Sequence, residues 1–250
     1  MESLSNVPSK AFLPRKSQFT VAVDLGQSTD YTAIGVLEHI KGVWDEGSPY
    51  ERHTGQKTIQ RPDEFVHVRW LERLTLGMPY PDQVQQVKEI LARPGLEGAR
   101  LVLDETGVGR PVGDIFNEAG LKPQRVSITG GSEQTSLGNN RWSVPKMILI
   151  STVDALLHTG TLEVAPELPL AEVLKEELKD FRRKVSDVGR PTYGARAGAH
   201  DDLVLAVAIG CWWTIKKPQE PPRTFTYDGR EVTIDRYGNH QFGVNTPKGN

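Results

Sequence analysis

Three acidic positions stand where a solvated carboxylate is hard to explain. Asp24 and Asp104 each end a short apolar run, and the pair Asp201-Asp202 opens an apolar segment. A buried charge is costly unless it is paired or binds a cation. If these acids converge they also repel one another, and a hard divalent cation, which prefers oxygen ligands, removes that repulsion. The pattern therefore predicts a divalent-metal site built from acids far apart in the chain.

Each acid also has a plainer interpretation when taken alone. An Asp after a strand often only forms a turn, Asp104 could cap the following helix, and its neighbour Glu105 could be the functional acid. Asp201 at a helix start is an N-cap by default. Because neighbouring helical residues point about 100° apart, we expect Asp202 to be the direct ligand and Asp201 to cap the helix or support the site. His200 could orient water or contact phosphate, although a solvated role is more usual.

The elements that must position these acids follow from the hydrophobic pattern. The first half of the chain predicts an antiparallel meander, then strands alternating with helices. The expected strands are 19–24, 31–37, 65–74 (alternating through Val66, Val68 and Trp70), 101–104 and 125–129; the expected helices are 81–91 and 111–119, and a loop is expected over 130–140.

The second half of the chain predicts mostly helices. They are expected over 146–157, 170–185 and 201–215, with a Gly-rich loop over 189–198; the last helix is apolar nearly all round and should be buried. We expect an N-terminal arm over 1–17, a main domain over 18–216 and a tail over 217–250 with a hairpin at Asp228-Gly229. The fold class is α/β: a mixed sheet, antiparallel meander plus parallel strands, with helices on both faces.

Composition limits the function classes without choosing one. Lys plus Arg number 30 against 32 Asp plus Glu, so the charge balance gives no sign of a strongly basic nucleic-acid binder. Cys211 is the one cysteine and lies in an apolar run, which favours a buried inert thiol in a reducing compartment. A signal-peptide pattern and an apolar stretch near 20 residues are both lacking, so we expect a cytoplasmic protein without a membrane partner.

Four segments resemble the nuclease motifs of phage terminase large subunits, in the same order. The resemblance spans about Phe19 to Trp213, and the closing segment is the most specific. These segments are Asp24-Leu25-Gly26 with Ser28-Thr29-Asp30-Tyr31-Thr32-Ala33, then Leu103-Asp104-Glu105-Thr106-Gly107-Val108-Gly109, then Trp142-Ser143-Val144-Pro145-Lys146, and finally His200-Asp201-Asp202-Leu203-Val204-Leu205-Ala206.

The resemblance implies a ribonuclease H-like fold and cleavage of duplex DNA that depends on Mg or Mn, with two ions expected. In two-metal hydrolysis of a phosphodiester, Asp24 would bridge both ions while Asp104 and Asp202 each hold one; Asp201 is counted with the metal-binding acids. Phosphate contacts are expected from four cations, each of which could equally be a plain surface charge. They are Arg141, Lys146, Arg190 and Arg196.

The sequence also departs from that family. A terminase large subunit carries an ATPase motor, yet a Gly-x-x-x-x-Gly-Lys-Ser/Thr loop is lacking and the run Gly55-Gln56-Lys57-Thr58 has the wrong spacing. Partners beyond double-stranded DNA could therefore include a separate ATPase motor, a small terminase subunit or a portal.

Three rival functions stay open. A structure-selective nuclease like a Holliday-junction resolvase would use the same chemistry on another substrate. A non-catalytic phage assembly module would keep the carboxylates as structure. A nucleotide-binding enzyme is suggested by Gly107-Val108-Gly109 with Gly113, but the glycine spacing is one residue too long.

Overall fold

The structure, a computed structural model, contains eleven strands and five helices within the residues it describes. Those residues are 9–26, 30–47, 53–54, 59–107, 110–187, 200–216, 223–227, 230–234 and 240–242. The strands are β1 Ser9–Asp24, β2 Ala33–Gly47, β3 Ile59–Arg73, β4 Arg100–Asp104, β5 Gln124–Thr129, β6 Thr135–Gly138, β7 Arg141–Pro145, β8 Leu162–Val164, β9 Arg223–Tyr227, β10 Arg230–Ile234 and β11 His240–Phe242. The helices are α1 Tyr80–Leu91, α2 Arg110–Glu118, α3 Lys146–His158, α4 Ala171–Asp187 and α5 Asp202–Ile215.

The first eight strands form one mixed sheet in the order β6-β7-β5-β4-β1-β2-β3-β8. β1, β2 and β3 are the expected antiparallel meander. β4 lies parallel to β1, and β5 and β7 continue in the same direction. The α/β class with a mixed sheet is therefore confirmed, and the carboxyl ends of β1 and β4 meet at one edge.

One face of the sheet packs against α1 and α2. Successive side chains of a strand point to opposite faces, and the odd-numbered positions of β1 and β4 face these two helices. The buried cluster on this side comprises Val21, Val23, Leu25, Ile34, Val36, Leu74, Val84, Val87, Ile90, Leu101, Leu103, Val112 and Phe116.

The opposite face packs against α5, the apolar helix. A Cβ added to Gly210 of this helix would lie 2.7 Å from Leu37 Cδ1 and 3.0 Å from Ala22 Cβ, so helix and sheet touch backbone to side chain there. Two residues back along β1 from Ala22, Thr20 Oγ1 accepts a hydrogen bond from Thr214 Oγ1 at 3.0 Å. α5 therefore runs back along β1, and its first residue, Asp202, lies toward the edge where β1 ends. Helices on both faces are confirmed.

The structure differs from the expectations in the extent or the presence of several strands. β1 begins at Ser9, so residues 9–17 are strand rather than arm. The expected loop over 130–140 contains β6, which pairs with β7 through Asn139 and Asn140, both at positive φ (48° and 57°); paired asparagines tolerate that conformation in a tight hairpin. The short strand β8, between α3 and α4, was missed because three residues give too little periodicity.

The chain divides into two compact units, Met1–Thr214 and Ile215–Asn250. The second unit contains a three-stranded sheet in the order β11-β10-β9. Tyr227 is opposite Arg230 in its β9-β10 pair, where the sequence predicts a hairpin. In the described part of the chain, no helix has both the length and the apolar character needed to cross a membrane.

Replacing Gly210 with Ala tests the close packing of α5 on the sheet. The new methyl group meets the buried Leu37 and Ala22, so we expect overpacking to lower the free energy of unfolding by about 1–3 kcal/mol, despite the better helix propensity of Ala. Urea denaturation measures the change. Gly35→Ala is the matched control, because a Cβ there would have only ordinary contacts of 3.6 Å or more. A Gly210→Ala protein as stable as Gly35→Ala would contradict this packing.

Candidate active site

One rung of the sheet, meaning a row of register partners on neighbouring strands, contains two of the predicted acids. Across four neighbouring strands the register partners are Asp104 of β4, Asp24 of β1, Ala33 of β2 and Arg73 of β3. Register partners point to the same face of a sheet. All four side chains therefore face α5, and Asp24 and Asp104 are direct neighbours, as the sequence predicts.

The chain turns sharply after Asp24, and a threonine holds the turn. The backbone N–H of Gly26 donates to Thr32 Oγ1 at 3.0 Å, and Thr32 Oγ1 donates to Gln83 Oε1 of α1 at 2.8 Å. A Cβ on Gly26 would lie 2.2 Å from the Asp30 carbonyl oxygen. Only glycine fits there, which explains the Asp-x-Gly pattern. Asp24 is the last residue of the strand, and Gly26 packs directly against the backbone of Asp30.

Burial and mutual repulsion shift the acids strongly. Burial is the largest cause raising the pKa of Asp24 well above its ordinary value, and the carboxylates of Asp104, Asp202 and Asp201 raise it further, while Lys146 opposes them. Burial also raises the pKa of Asp104 to about 6, against hydrogen bonds from Thr106 and Asp24 and the charge of Lys146. The four predicted acids thus act on one another, as expected of a shared site.

The two acids at the start of α5 are held differently. Asp201 Oδ2 accepts from Lys146 Nζ at 3.0 Å, and the Asp201 carbonyl accepts the Leu205 N–H at 2.9 Å, so its backbone caps the helix. Asp202 is buried, with both carboxylate oxygens bound by Arg73, from Nε at 2.6 Å and from Nη2 at 3.1 Å. Asp201 faces the outside more than Asp202 does, the side chains being 25% and 5% exposed.

Arg73 and Glu177 are site residues that the sequence analysis missed. Arg73 Nη2 donates to Glu177 Oε1 of α4 as well as to Asp202. Glu177 Oε2 accepts the Val204 N–H at 3.0 Å, so a side chain from α4 caps the first turn of α5. Burial is the largest cause raising the pKa of Glu177 to about 7, and Asp202 also raises it.

His200 lies at the outer rim of this cluster. Its side chain is 42% exposed, and its Nδ1 lies 4.0 Å from Asp202 Oδ1. Its ring meets Tyr31 edge-on at 5.3 Å, and the Arg73 guanidinium carbon lies 5.3 Å from the centre of the Tyr31 ring. An exposed imidazole beside the acids is accessible to water or phosphate, and either role stays a prediction.

Glu105 belongs to a separate network on the opposite face of the sheet. Its carboxylate accepts from Arg125 Nε at 2.8 Å, from Arg141 Nη2 at 2.9 Å and from Ser127 Oγ at 3.2 Å. These partners lower the pKa of Glu105 despite its burial. A Cβ on Gly113 of α2 would lie 2.3 Å from the Arg125 guanidinium, which places the network under that helix. Glu105 is therefore a paired structural acid next to Asp104 in sequence.

The structure brings one predicted phosphate-binding cation to the acids and not another. Lys146 lies among them, whereas Arg141 points to the other face and binds Glu105 through two donors. Arg190 and Arg196 lie outside the described residues. Contact of any of these residues with DNA stays a prediction. Cys211 is buried, and burial raises its pKa to about 12, as expected of an inert thiol.

The donor set suits a hard divalent cation. Asp24, Asp104 and the α5 pair offer only carboxylate oxygens, and burial together with the neighbouring carboxylates raises the pKa of Asp24. Among the described residues, no three acidic, His or Cys side chains already enclose an ion position. Lys146 bonds Asp201 and Arg73 bonds Asp202, so ion binding at Asp201 requires the Lys146 side chain to move away.

Comparisons with known proteins give relatives of one kind. The chain is 22% identical over 191 residues to the large terminase subunit of Thermus phage G20c, covering 76% of this chain and 30% of that protein. It matches the large terminase subunit of Thermus virus P23-45 to the same extent. The chain thus spans about 30% of the length of these relatives. No family model matches the sequence.

A solved structure shares the fold. The crystal structure of the large terminase nuclease from thermophilic phage G20c matches with a TM-score of 0.50 at 21% identity, covering 78% of this chain and 81% of that one. The resemblance to the nuclease domain of phage large terminase subunits is confirmed, and the fold is ribonuclease H-like.

Asp104→Asn should stabilise the metal-free protein at high pH. A carboxyl whose pKa is raised on folding, here from 3.8 to about 6, contributes stability that is fully present below pH 3.8 and is lost as pH rises through 6. At pH 8 in EDTA we expect the neutral amide to add about 2–3 kcal/mol to the free energy of unfolding, with little effect at pH 4. Urea denaturation at both pH values measures this. A variant less stable than wild type at pH 8 would show that the cluster is not strained by charge.

Proposed function

We propose that this chain is a divalent-metal-dependent endonuclease that cuts double-stranded DNA by two-metal phosphodiester hydrolysis, as the nuclease of a phage packaging terminase. The observation that carries the proposal is the rung that places Asp24 beside Asp104 and under the acidic start of α5. Buried like charges arranged without enough counter-charge are a costly feature. Such a feature is typical of a site that works with a cation.

Each acid has a role that follows from its place. Asp24 interacts with Asp104 on one side and with both α5 acids on the other, so it is the acid suited to contact both ions. Asp104 and the α5 pair would each hold one. Bound divalent ions supply an activated water and stabilise the leaving oxygen. Asp202 stays our choice as a ligand; Asp201, the more exposed of the pair, supports it or shares the role.

Lys146 links the acids to a substrate phosphate. Its ammonium group bonds Asp201 and acts electrostatically on Asp24 and Asp104. Once cations neutralise these acids, the Lys146 charge becomes available to a DNA phosphate. A single lysine switching partners in this way would draw the DNA backbone to the site only when the cations are present.

The wider setting of the activity is also part of the proposal. The relatives are named large terminase subunits and are far longer than this chain, so packaging would need an ATPase motor from another segment or another chain. A small terminase subunit and a portal are the further partners we propose. The host-cell cytoplasm is the place where a packaging nuclease would act.

Asp24→Asn tests the proposed chemistry. With Mg²⁺ or Mn²⁺ we expect the wild-type protein to convert supercoiled plasmid to nicked and linear forms. Asn keeps the size of Asp but lacks its charge, so we expect at least about a hundredfold loss of rate. Asp202→Asn should behave alike. Asp82→Asn, an exposed acid in the first turn of α1, is the matched control and should cut normally.

The same assay separates the alternatives. Plasmid cleavage by Asp24→Asn at the wild-type rate, or by the wild-type protein in EDTA, would refute the proposal. Strong preference for four-way junctions over linear duplex would instead indicate a structure-selective nuclease. Binding without any cleavage would favour a non-catalytic assembly module.

Metal should stabilise the folded protein through the same acids. Because ions bind the folded cluster and not the unfolded chain, the unfolding temperature should rise with Mn²⁺ concentration. Asp24→Asn should show a much smaller rise, since the shared ligand is lost. Differential scanning fluorimetry from zero to millimolar Mn²⁺, with Asp82→Asn as control, measures both. Equal shifts in all three proteins would place metal binding elsewhere.

A further inference from the structure

A bulge in β3 turns Arg73 toward the acids. Val36 is opposite Trp70 and Leu37 is opposite Val68, so Arg69 is left between two rungs. In an unbroken strand, residues 68 and 73 would point to opposite faces. The extra residue lets Val68 and Arg73 share the face covered by α5, and bulges near active sites commonly redirect a side chain in this way.

Arg73 then reaches Asp202 across a small neighbour. Ala33 is its register partner on β2 and stands between Arg73 and Asp24 in the rung. The small Ala33 side chain leaves room for a long side chain to bend toward the start of α5. Both Asp202 oxygens accept from the guanidinium, through Nε and Nη2. This is the two-pronged geometry that arginine forms and lysine cannot.

The same guanidinium also bonds Glu177, which supports the start of α5 beside Asp202. Nη2 bonds Glu177, which in turn caps the first turn of α5 through the Val204 N–H. The Arg73 side chain is 19% exposed, and those of Glu177 and Asp202 are 7% and 5% exposed. The Arg73 guanidinium therefore connects strand β3 with helices α4 and α5 around the Asp202 carboxylate.

We propose that Arg73 is a positioning residue that fixes the Asp202 carboxylate for metal binding, an inference that rests on the proposed nuclease function. It acts through Asp202 and does not touch substrate. Hydrogen bonds behind a metal-binding carboxylate set its direction, and losing them typically weakens metal affinity or activity about 10- to 100-fold. The shape of the guanidinium, as well as its charge, is what the role requires.

Arg73→Lys separates shape from charge. Lysine keeps the positive charge beside the cluster but cannot bond both Asp202 oxygens and Glu177 from one plane. Arg69→Lys is the matched control: Arg69 lies on the same strand, and both its Nε and Nη2 bond Glu38 Oε2 at 2.7 Å, with its side chain 48% exposed. Three quantities are measured on the full chain: Mn²⁺ affinity by isothermal titration calorimetry, the Mn²⁺ dependence of plasmid cleavage, and the unfolding temperature in EDTA.

We expect Arg73→Lys to weaken Mn²⁺ binding about 10- to 100-fold and to shift the Mn²⁺ needed for half-maximal cleavage by a similar factor. High Mn²⁺ should restore part of the rate, and Arg69→Lys should match wild type throughout. Wild-type affinity in Arg73→Lys would overturn the positioning role and leave the nuclease proposal standing. A loss of folded protein in EDTA with unchanged affinity of the folded fraction would also overturn it, as a purely structural role.

Glu177→Gln gives a second, independent variant. It removes the charge behind Arg73 but keeps an oxygen that can accept one hydrogen bond, so it should weaken Mn²⁺ binding less than Arg73→Lys does. The double variant should be little worse than Arg73→Lys alone, because both act through one carboxylate. Fully additive losses would contradict this. A wild-type protein that neither binds Mn²⁺ nor cuts DNA would end the nuclease proposal itself, and the role of Arg73 with it.

Discussion

Several carboxylates lie close together at one edge of a buried sheet, and their burial and mutual repulsion cost free energy. The arrangement of the rest of the site follows from that cost. Asp24 and Asp104 are register partners, so the backbone itself holds two acids side by side. The apolar α5 covers this face of the sheet, which removes much of the water that would otherwise screen them. The raised pKa values of both acids express that cost. In the proposed function, divalent cations supply the counter-charge that the fold provides only in part.

The two cationic side chains of the site, Lys146 and Arg73, bind the α5 acids in different ways. Lys146 makes one bond to Asp201 from an ammonium group that can rotate and leave. Arg73 binds Asp202 with two donors and is itself tied to Glu177. One acid of the α5 pair is therefore held by a partner that can be exchanged, and the other by a fixed frame. This difference suits a site where one side must open to ions and phosphate while the other keeps its geometry.

The sequence predicted the fold and the acids better than it predicted their surroundings. Asp24 and Asp104 each follow an apolar segment, and the Asp201-Asp202 pair precedes one. Such segments predict strands and helices whose ends can meet, so Asp24 and Asp104 could be found from the pattern alone. Arg73 could not, because unbroken alternation through Val66, Val68 and Trp70 would place it on the other face; the bulge at Arg69 is a property of strand pairing and leaves no clear mark in the sequence.

Two further residues show the same limit. Arg141 follows an asparagine turn and is predicted to contact phosphate; strand register places its side chain on the far face with Glu105, and a contact with DNA there stays a prediction. Glu177 caps a helix 27 residues further along the chain, a contact set by tertiary packing. Local spacing indicates which elements form; long-range register and helix docking decide which side chains meet.

Crystals soaked in Mn²⁺ would show in an anomalous-scattering map whether ions bind at these acids. We expect Mn²⁺ peaks in contact with the Asp24 carboxylate, shared with Asp104 and the start of α5, with Lys146 withdrawn from Asp201. Crystals that diffract well and show no peak at these acids, with Lys146 still bonded to Asp201, would contradict it.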